Sequence, residues 1–190
     1  MMNPLHIQPE RTAFVAIDLQ QGIVGMPGVP HSTSTVVRHA ARLADALRRA
    51  GAFIVFVHVD FVDGKDALQP VAEKQLPAKP VDNWAELVPD LHVQPGDHLV
   101  VKRGFGAFFG TDLDLQLRRR GIDTILLCGI STHIGVDTTA REAYQLNYNQ
   151  IFVTDAMTAP FKEAHEFPCE HVFPLMGRLH TTAEVLAALE

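Results

Sequence analysis

The stretch HLVVKRGFGAFFGTDLDLQLRRRGIDTILLCGISTHIGVDTTAREA, residues 98–143, carries the pattern that decides the fold. Its apolar runs, cap residues and glycines predict strand 98–101, a helix that Thr111 caps and Gly121 ends, strand 124–128 and a helix from Thr132. A helix that joins two parallel strands brings their carboxyl ends to one edge of the sheet, where open α/β folds bind ligands. Lys102 and the turn from Gly129 to Gly135 are therefore predicted to face one pocket.

Towards the N-terminus, residues 12–19 form a nearly continuous apolar run, which predicts a strand buried on both faces. Asp18 is the one charged residue in this run. A carboxylate at the end of a buried strand must be paired or lie in a polar pocket, because isolation from water costs several kcal/mol. Asp18 is therefore predicted to be functional, and the alternative is that it caps the following loop, residues 20–25.

The remaining segments continue the alternation of strands and helices. They are helix 33–50, strand 52–59, strand 150–154 ending at Asp155, helical segment 156–167 closed by Pro168, strand 171–175 and helix 181–189. Six strands separated by helices predict a single domain, residues 1–190, built as a three-layer α/β sandwich around a parallel sheet.

Residues 62–95 interrupt this alternation, since they contain five prolines and little sustained periodicity. We expect a long excursion over the sheet edge with one short helix at 84–87, which serves either as a lid over the pocket or as a contact surface. Trp84 is interpreted as filling a hydrophobic seam, with stacking on a substrate as the alternative.

Composition points to a small-molecule partner. The formal net charge of −6 and the lack of a basic stripe argue against nucleic-acid binding, and the run Arg118 to Arg120 is typical of the solvated end of a helix. No segment has the roughly 20 apolar residues that span a bilayer, and the N-terminal residues do not resemble a secretory signal. Cys128 and Cys169 show no disulfide spacing, so we predict reduced thiols and a cytoplasmic location without membrane contact.

No cofactor or metal is predicted. Glycine-rich nucleotide signatures and the Gly-x-Ser-x-Gly nucleophile elbow are both missing from the sequence. His58 and Asp60 are metal ligands by residue type, but they share one strand and no third ligand lies nearby in sequence. We interpret them as residues of a pocket wall.

Asp18, Lys102 and the turn GISTHIGVDTTAREA, residues 129–143, occur in the order found in the isochorismatase-like cysteine hydrolase family, which the chain closely resembles from Thr12 to its terminal helix. The resemblance implies a six-stranded parallel sheet of Rossmann-like architecture with helices on both faces. It also implies subunits that associate as a homo-oligomer, a dimer or a tetramer.

The same resemblance implies a site with Asp18 and Lys102 as its catalytic residues. It implies a cis peptide bond between Ile130 and Ser131, which would orient backbone N–H groups into an oxyanion hole. Candidate substrate contacts are Gln20, Phe108, Thr132 and His133.

The chain departs from the family pattern at the nucleophile. The family motif Gly-x-x-Thr-x-x-Cys, counted from Gly129, places its cysteine at Gly135, so a thioester or thioimidate intermediate is not expected here. Ser131 and Thr132 are nearby hydroxyls without an evident histidine–carboxylate relay. The replacement His-Ile-Gly is similar to the turn of true isochorismatases, which cleave a vinyl ether without covalent catalysis.

Two hypotheses of function follow. The first is a hydrolase or lyase-like enzyme that acts on a small anionic or carbonyl-containing metabolite by acid–base chemistry at Asp18 and Lys102. The second is a catalytically silent small-molecule-binding protein that kept the fold and the pocket. A third reading, a thiol-dependent amidase, requires a cysteine in the pocket. In the first hypothesis Asp18 is the general acid, whose pKa burial would raise and Lys102 would lower.

Overall fold

The computed structural model describes residues 5–74 and 82–190 as a six-stranded parallel sheet with helices on both faces. The strands are β1 (Thr12–Ile17), β2 (Phe53–Val59), β3 (His98–Lys102), β4 (Thr124–Ile130), β5 (Asn149–Thr158) and β6 (Arg178–His180). The α-helices are α1 (Gln21–Val24), α2 (Thr33–Arg49), α3 (Leu113–Arg119), α4 (Asp137–Gln145), α5 (Lys162–Phe167) and α6 (Thr182–Ala187). The predicted fold class is confirmed.

The order of the strands determines where the carboxyl ends open a crevice. The sheet runs β3-β2-β1-β4-β5-β6, so the direction of winding reverses between β1 and β4. Ligands of open α/β sheets bind at such a switch point, outside the carboxyl ends of the strands. Asp18 follows β1 and the turn that begins at Gly129 ends β4, so both lie at the reversal.

Alternate residues of the central strands enter two separate apolar cores. Phe14 and Ala16 of β1 face the layer that contains α2 and α6, whereas Val15 and Ile17 face the layer that contains α3 and α4. All six residues of β1 are buried, as expected for a strand covered on both sides. This rigid strand is what carries Asp18 to its position.

Gly129 shows why β4 can approach β1 so closely at the switch point. Its φ is +126°, and a Cβ there would collide with the backbone carbonyl of Ile17. Only glycine tolerates both the dihedral angle and the contact. The strand end therefore bends into the turn beside Asp18 without displacing β1.

Two predicted strands differ from the structure. The strand predicted at 150–154 runs from Asn149 to Thr158, with a shift of register against β4, so Asp155 lies inside the strand. Asp155 accepts hydrogen bonds from the backbone N–H and the hydroxyl of Thr182, at 2.7 and 2.8 Å, and thereby ties β5 to α6. The prediction of a strand end at Asp155 was wrong because β5 continues past this residue through a shift in its pairing with β4, which a sequence pattern does not record.

The strand predicted at 171–175 was also wrong. Those residues lie in a π-helical turn, Pro168–Val172, and a 3₁₀ turn, Phe173–Leu175. The edge strand is Arg178–His180 instead, which pairs with β5 over three residues. Thr181 then caps α6 in a capping box with Glu184, so the predicted N-cap at Thr181 is confirmed.

Helix boundaries shifted in the central stretch. The helix predicted to start at Thr111 starts at Leu113, and the hydroxyl of Thr111 accepts a hydrogen bond from the Leu113 N–H at 3.2 Å. The helix predicted from Thr132 begins with a π-helical turn, Thr132–Val136, and becomes α-helical at Asp137.

The excursion at 62–95 is described except for residues 75–81, and the part of the prediction that concerns 75–81 lies outside the described residues. No α-helix forms at 84–87; the regular turn in this segment is a 3₁₀ turn, Pro89–Leu91. The segment is held to the strand ends by backbone hydrogen bonds from Gln21 to Glu86 and from Gly22 to Trp84.

Candidate active site

Asp18 leaves the end of β1 in an unusual backbone conformation. Its φ is +56°, in the left-handed region that costs a residue with a side chain about 1 kcal/mol or more. Its N–H donates to the carbonyl of Val57 at 2.8 Å, which extends the pairing between β1 and β2 by one residue. The turn of the backbone directs the carboxyl group towards Lys102 and Gly135, and Asp18 is 5% exposed.

Lys102 ends β3, two strands away from β1, and its long side chain reaches the Asp18 carboxylate. Nζ lies 2.8 Å from Oδ2 of Asp18 and donates to the carbonyl of Phe105 at 2.6 Å. The ammonium group is fully enclosed, since only 2% of the side chain is exposed. The structure thus brings together the two side chains predicted from distant segments, which touch directly.

Gly135 lies against this pair. A Cβ at Gly135 would stand 2.9 Å from Oδ2 of Asp18, 3.0 Å from Cγ2 of Ile17 and 3.4 Å from Nζ of Lys102. The position aligned with the family's cysteine is therefore adjacent to both charged groups. A side chain at position 135 would require the Asp18 carboxylate to shift, because 2.9 Å is shorter than an ordinary contact of a Cβ atom.

The turn that joins β4 to Gly135 contains a cis peptide bond between Ile130 and Ser131. The carbonyl of Ser131 accepts hydrogen bonds from the N–H groups of Ile134 and Val136, at 3.1 and 3.2 Å. Ser131 occupies the N-cap position of the π-helical turn without a side-chain cap, and its hydroxyl lies 3.1 Å from Nδ1 of His133 instead.

The electrostatics of Asp18 follow from its surroundings. Burial raises the pKa of Asp18 from 3.8 to about 6, and the charge and hydrogen bond of Lys102 pull it back down. Desolvation outweighs the cation here, which answers the question that the sequence left open. Among the described residues, Oδ1 of Asp18 has no hydrogen-bond partner, whereas Oδ2 is held by Lys102.

The polar atoms of Gln20 are used within the protein. Nε2 donates to the carbonyls of Val59 and Trp84, both at 3.1 Å, and Oε1 accepts from the Val59 N–H at 2.9 Å. The side chain has no exposed surface. Gln20 therefore joins β2 to the excursion, and contact with a substrate would cost it these bonds.

Thr132 and Phe108 are similarly enclosed. The Thr132 hydroxyl lies 3.0 Å from the carbonyl of Thr158 and 2.9 Å from Nδ1 of His165. Phe108 packs against Tyr148 in the core on the α3 side and is 8% exposed. Neither side chain presents a free polar group.

His133 and Ser131 are the half-exposed members of the predicted set. The His133 ring meets Phe161 edge-to-face, with 5.5 Å between centroids. Burial lowers the pKa of His133, opposed by the charge of Asp137, so the neutral imidazole is favoured at pH 7. These two side chains can meet a ligand without losing a buried hydrogen bond to the backbone.

Sequence reasoning missed a second polar cluster, formed by Thr132, His165 and Cys169. Sγ of Cys169 lies 3.7 Å from Nε2 of His165, whose Nδ1 faces Thr132. Burial lowers the pKa of His165 to about 4 and raises the pKa of Cys169 to about 12, so both groups are neutral at physiological pH. The spacing His-x-x-x-Cys on one helical segment was the available signal. The contact of His165 with Thr132 joins residues far apart in the chain, so the sequence pattern could not show it.

The excursion packs over the strand ends through aromatic side chains. Trp84 stacks on Phe61 with 6.4 Å between ring centroids, and a Cβ at Gly22 would collide with the indole. Trp84 therefore fills a seam between the excursion and α1, in agreement with the first of the two alternatives given for it. Burial lowers the pKa of His58 nearby.

Within residues 5–74 and 82–190, no group of three or more His, Cys, Asp or Glu side chains is arranged to hold a metal ion. The described helices include none long and apolar enough to cross a bilayer.

The fold and the buried Asp18–Lys102 pair define a parallel α/β protein with an acid and an amine at the switch point of its sheet. Residues 12–184 match the sequence pattern of the isochorismatase domain family. The chain therefore belongs to the isochorismatase family and is a hydrolase-like protein.

Three relatives illustrate the similarity. The chain is 53% identical to the isochorismatase family protein YwoC of Bacillus subtilis, over 98% of both chains. It is 30% identical to the ureidoacrylate amidohydrolase RutB of Agrobacterium fabrum, over 80% of this chain and 78% of that protein. Among solved structures, an isochorismatase family protein of Burkholderia thailandensis matches with a TM-score of 0.92 and 45% identity, covering 98% of this chain and 99% of the other.

Proposed function

We propose that the chain is a hydrolase that acts on a small metabolite by non-covalent acid–base chemistry, with Asp18 as the general acid and Lys102 as its partner. One observation carries the proposal. Asp18 is a buried carboxyl group with a pKa of about 6, and its Oδ1 has no hydrogen-bond partner among the described residues. A carboxyl group of this kind can hold a proton near neutral pH and donate it to a bound molecule.

The reaction that suits this site is hydrolysis initiated by proton transfer. Protonated Asp18 donates its proton from Oδ1 to the alkene carbon of a vinyl ether, which leaves a carboxylate and a resonance-stabilised oxocarbenium ion. A water molecule adds to the cation and returns one proton to Asp18. The resulting hemiketal collapses to a carbonyl compound and an alcohol, so one water is consumed and the acid is regenerated.

Lys102 stabilises the carboxylate that forms in this step. Its ammonium group lies 2.8 Å from Oδ2, the oxygen opposite the proposed donor, and it is already desolvated. Because the cation is in place before the proton leaves, the site does not have to reorganise as charge develops. Burial raises the pKa of Asp18 and Lys102 lowers it, and the result of about 6 lets the carboxyl group donate and recover a proton near neutral pH.

Thiol chemistry has little support in this chain. No side chain extends from Gly135, and Cys128 is fully buried inside β4, where desolvation raises its pKa far above the ordinary value. Cys169 belongs to the neutral cluster with His165, with a pKa of about 12. Relatives named ureidoacrylate amidohydrolase share only about 30% of their residues with the chain, and amide hydrolysis through a thioester would need a thiolate that these environments disfavour.

Three further features belong to the same proposal. The turn of Ile130 and Ser131 would supply the oxyanion hole. His133 would contact the substrate, and the buried side chains of Gln20, Phe108 and Thr132 would support the wall of the binding site. Association into a homo-oligomer, a dimer or a tetramer, is part of the proposal, and exposed apolar side chains such as Phe109 and Phe167 are available for such a contact. Two free cysteines suit a reducing cytoplasm.

The test is turnover of isochorismate and simple vinyl ethers as a function of pH, for the parent protein and for Asp18→Asn. Asp90→Asn is the matched control, since Asp90 is an exposed carboxylate in the 3₁₀ turn Pro89–Leu91. We expect activity that falls as pH rises through about 6 and that Asp18→Asn lowers at least about 100-fold, a typical cost of losing a general acid.

Equal activity of Asp18→Asn and Asp90→Asn would contradict the acid role of Asp18. If the parent protein turns over none of the substrates but binds one of them in a titration calorimeter, the silent binding protein is the better description.

A further inference from the structure

The loop that follows Lys102, residues 103–110, has no regular secondary structure, although it contains the carbonyl of Phe105 that accepts from Lys102. A loop of this kind places an acceptor accurately only if other contacts hold its backbone. Two of the contacts that do so come from α4, the helix that follows the turn at Gly135.

Thr139 makes the first of these contacts. Its hydroxyl donates to the carbonyl of Gly135 at 2.7 Å and accepts from the N–H of Ala107 at 3.2 Å. The side chain has no exposed surface, so both bonds are shielded from water. One hydroxyl thus connects the turn at Gly135 to the loop after Lys102.

Glu142 makes the second contact, one turn further along α4. Its Oε2 accepts from the N–H of Phe108 at 2.9 Å, and its carboxylate fits directly over Gly106, where a Cβ would collide with it. Thr111 closes the loop from the other side by donating to the carbonyl of Ala107 at 2.6 Å. The backbone between Gly106 and Phe108 is therefore held at three successive residues.

We propose that Thr139 and Glu142 are positioning residues that clamp loop 103–110 to α4 and so hold the Phe105 carbonyl where it fixes the Lys102 ammonium against Asp18. The inference rests on the proposed function, since it assigns a role within the same site. Neither residue touches the Asp18–Lys102 pair; each acts through the loop. The clamp also makes the geometry of Lys102 depend on the turn at Gly135, because Thr139 bonds to both.

The readout is the ionisation of Asp18 itself, followed by carbon-13 NMR of the side-chain carboxyl groups across a pH titration, with Asp18→Asn to assign the resonance. If the clamp holds Lys102 in place, releasing the loop weakens the cation's pull on Asp18, and the pKa of Asp18 rises. A residue with a merely structural role would lower the melting temperature and leave this pKa where it is.

Matched pairs of variants separate the two outcomes. Thr139→Val removes the hydroxyl at constant shape, and Thr139→Ser keeps it; Glu142→Ala removes the acceptor, and Glu142→Gln keeps an oxygen that can accept from Phe108. We expect the pKa of Asp18 to rise by about half a unit or more in Thr139→Val and Glu142→Ala, and to stay within about 0.2 units of the parent in Thr139→Ser and Glu142→Gln.

An unchanged Asp18 pKa in Thr139→Val and Glu142→Ala would overturn the clamp, as would equal shifts within each pair. If Thr139→Val does not fold, the half-buried Glu142 pair decides the question by itself. Because the titration needs no substrate, the clamp can fail while the proposed hydrolysis stands, and the hydrolysis can fail while the clamp stands.

Discussion

The carboxyl edge of the sheet holds two buried polar clusters that differ in how completely their atoms are satisfied. At the first, Asp18 and Lys102 form an ion pair in which one carboxylate oxygen has no partner among the described residues. At the second, both ring nitrogens of His165 face a partner, Thr132 on one side and Cys169 on the other. Both contain groups whose pKa is shifted by burial, but only the first leaves a shifted group with an atom free for a ligand.

The comparison teaches that a perturbed pKa does not by itself indicate an active site. Burial pushes Asp18 towards the range in which it can exchange a proton at neutral pH, whereas it pushes His165 and Cys169 away from that range. The same physical effect therefore prepares one cluster for acid–base chemistry and keeps the other neutral. Burial raises the pKa of Asp18 and Cys169, which are charged when deprotonated, and lowers that of His165, which is charged when protonated. The outcomes differ because the ordinary pKa of an aspartate lies well below 7, whereas that of a cysteine lies above it.

Lys102→Met should have the largest effect, because it leaves the Asp18 carboxylate buried without its counter-ion. Breaking a buried pair by removing one partner costs about 3–5 kcal/mol, so we expect the free energy of unfolding at pH 8 to fall by that amount. The loss should shrink at pH 5, where Asp18 is protonated. Chemical denaturation at both pH values measures it.

Lys162→Met is the control for this variant, since Lys162 forms an exposed ion pair with Glu166 in α5. Exposed ion pairs contribute little to stability because water and salt screen them, so the control should change little. Similar losses in the two variants would contradict the special status of the Asp18–Lys102 pair.

Asp18→Asn should change the pH dependence of stability. The pKa of Asp18 is raised in the folded state, so its proton stabilises the native protein fully below pH 3.8, and that contribution is lost as pH rises through about 6. A shift of about two units corresponds to about 3 kcal/mol. The parent protein should therefore lose most of this contribution, about 2 kcal/mol, relative to Asp18→Asn between pH 4 and pH 7, as measured by denaturation at each pH; parallel curves would show an unshifted Asp18.

Thr132→Val tests the neutral cluster. The variant keeps the shape of the side chain but removes the hydroxyl that bonds to Thr158 and His165, which leaves buried polar atoms unpaired. We expect a loss of about 1–3 kcal/mol that stays constant between pH 5 and pH 8, because the cluster is neutral throughout this range. A loss that varies by more than about 1 kcal/mol over this range would mean that His165 becomes charged.

Cys169→Ala should have the smallest effect. It removes one weak hydrogen bond from Sγ to His165, and we expect a loss below about 1 kcal/mol by thermal unfolding. Iodoacetamide labelling of the parent protein should be slow at pH 8, since a thiol with a pKa of about 12 is almost entirely protonated there. Rapid labelling at Cys169 would reveal a thiolate, and the second cluster would then also contain a group that can lose its proton near neutral pH.

Sequence patterns predicted much of the fold because the strands are long runs of apolar residues. β1 was predicted to within two residues, and β2 and β3 to within one, since each contains a run of apolar residues. β1 is buried on both faces, whereas Leu99 and Val101 of β3 are exposed. The edge strand β6 was placed wrongly because it has only three residues, Arg178–His180, and none of them is fully buried. Short edge strands depend on pairing with a neighbour, which periodicity does not record.

The contact between Asp18 and Lys102 could be predicted for a similar reason. Asp18 and Lys102 stood out as charged residues at the ends of apolar runs, and the structure places their charged atoms in direct contact. Gln20 and Thr132 were chosen by their location near the site, but their side-chain bonds to the backbone of other elements could not be read from spacing. The His165–Cys169 contact was missed because the reason to notice it lies 33 residues away at Thr132.

The sequence by itself determined the alternation of strands and helices, the absence of a thiol at Gly135, and the positions of Asp18 and Lys102 after their strands, because hydrophobic periodicity and residue identity are local properties. Only the tertiary structure decided that burial outweighs Lys102 in setting the pKa of Asp18, that one carboxylate oxygen has no partner among the described residues, and that α4 contacts the loop that follows Lys102. Those outcomes depend on distances of a few ångströms between segments far apart in the chain, and desolvation and Coulomb energies change steeply over such distances.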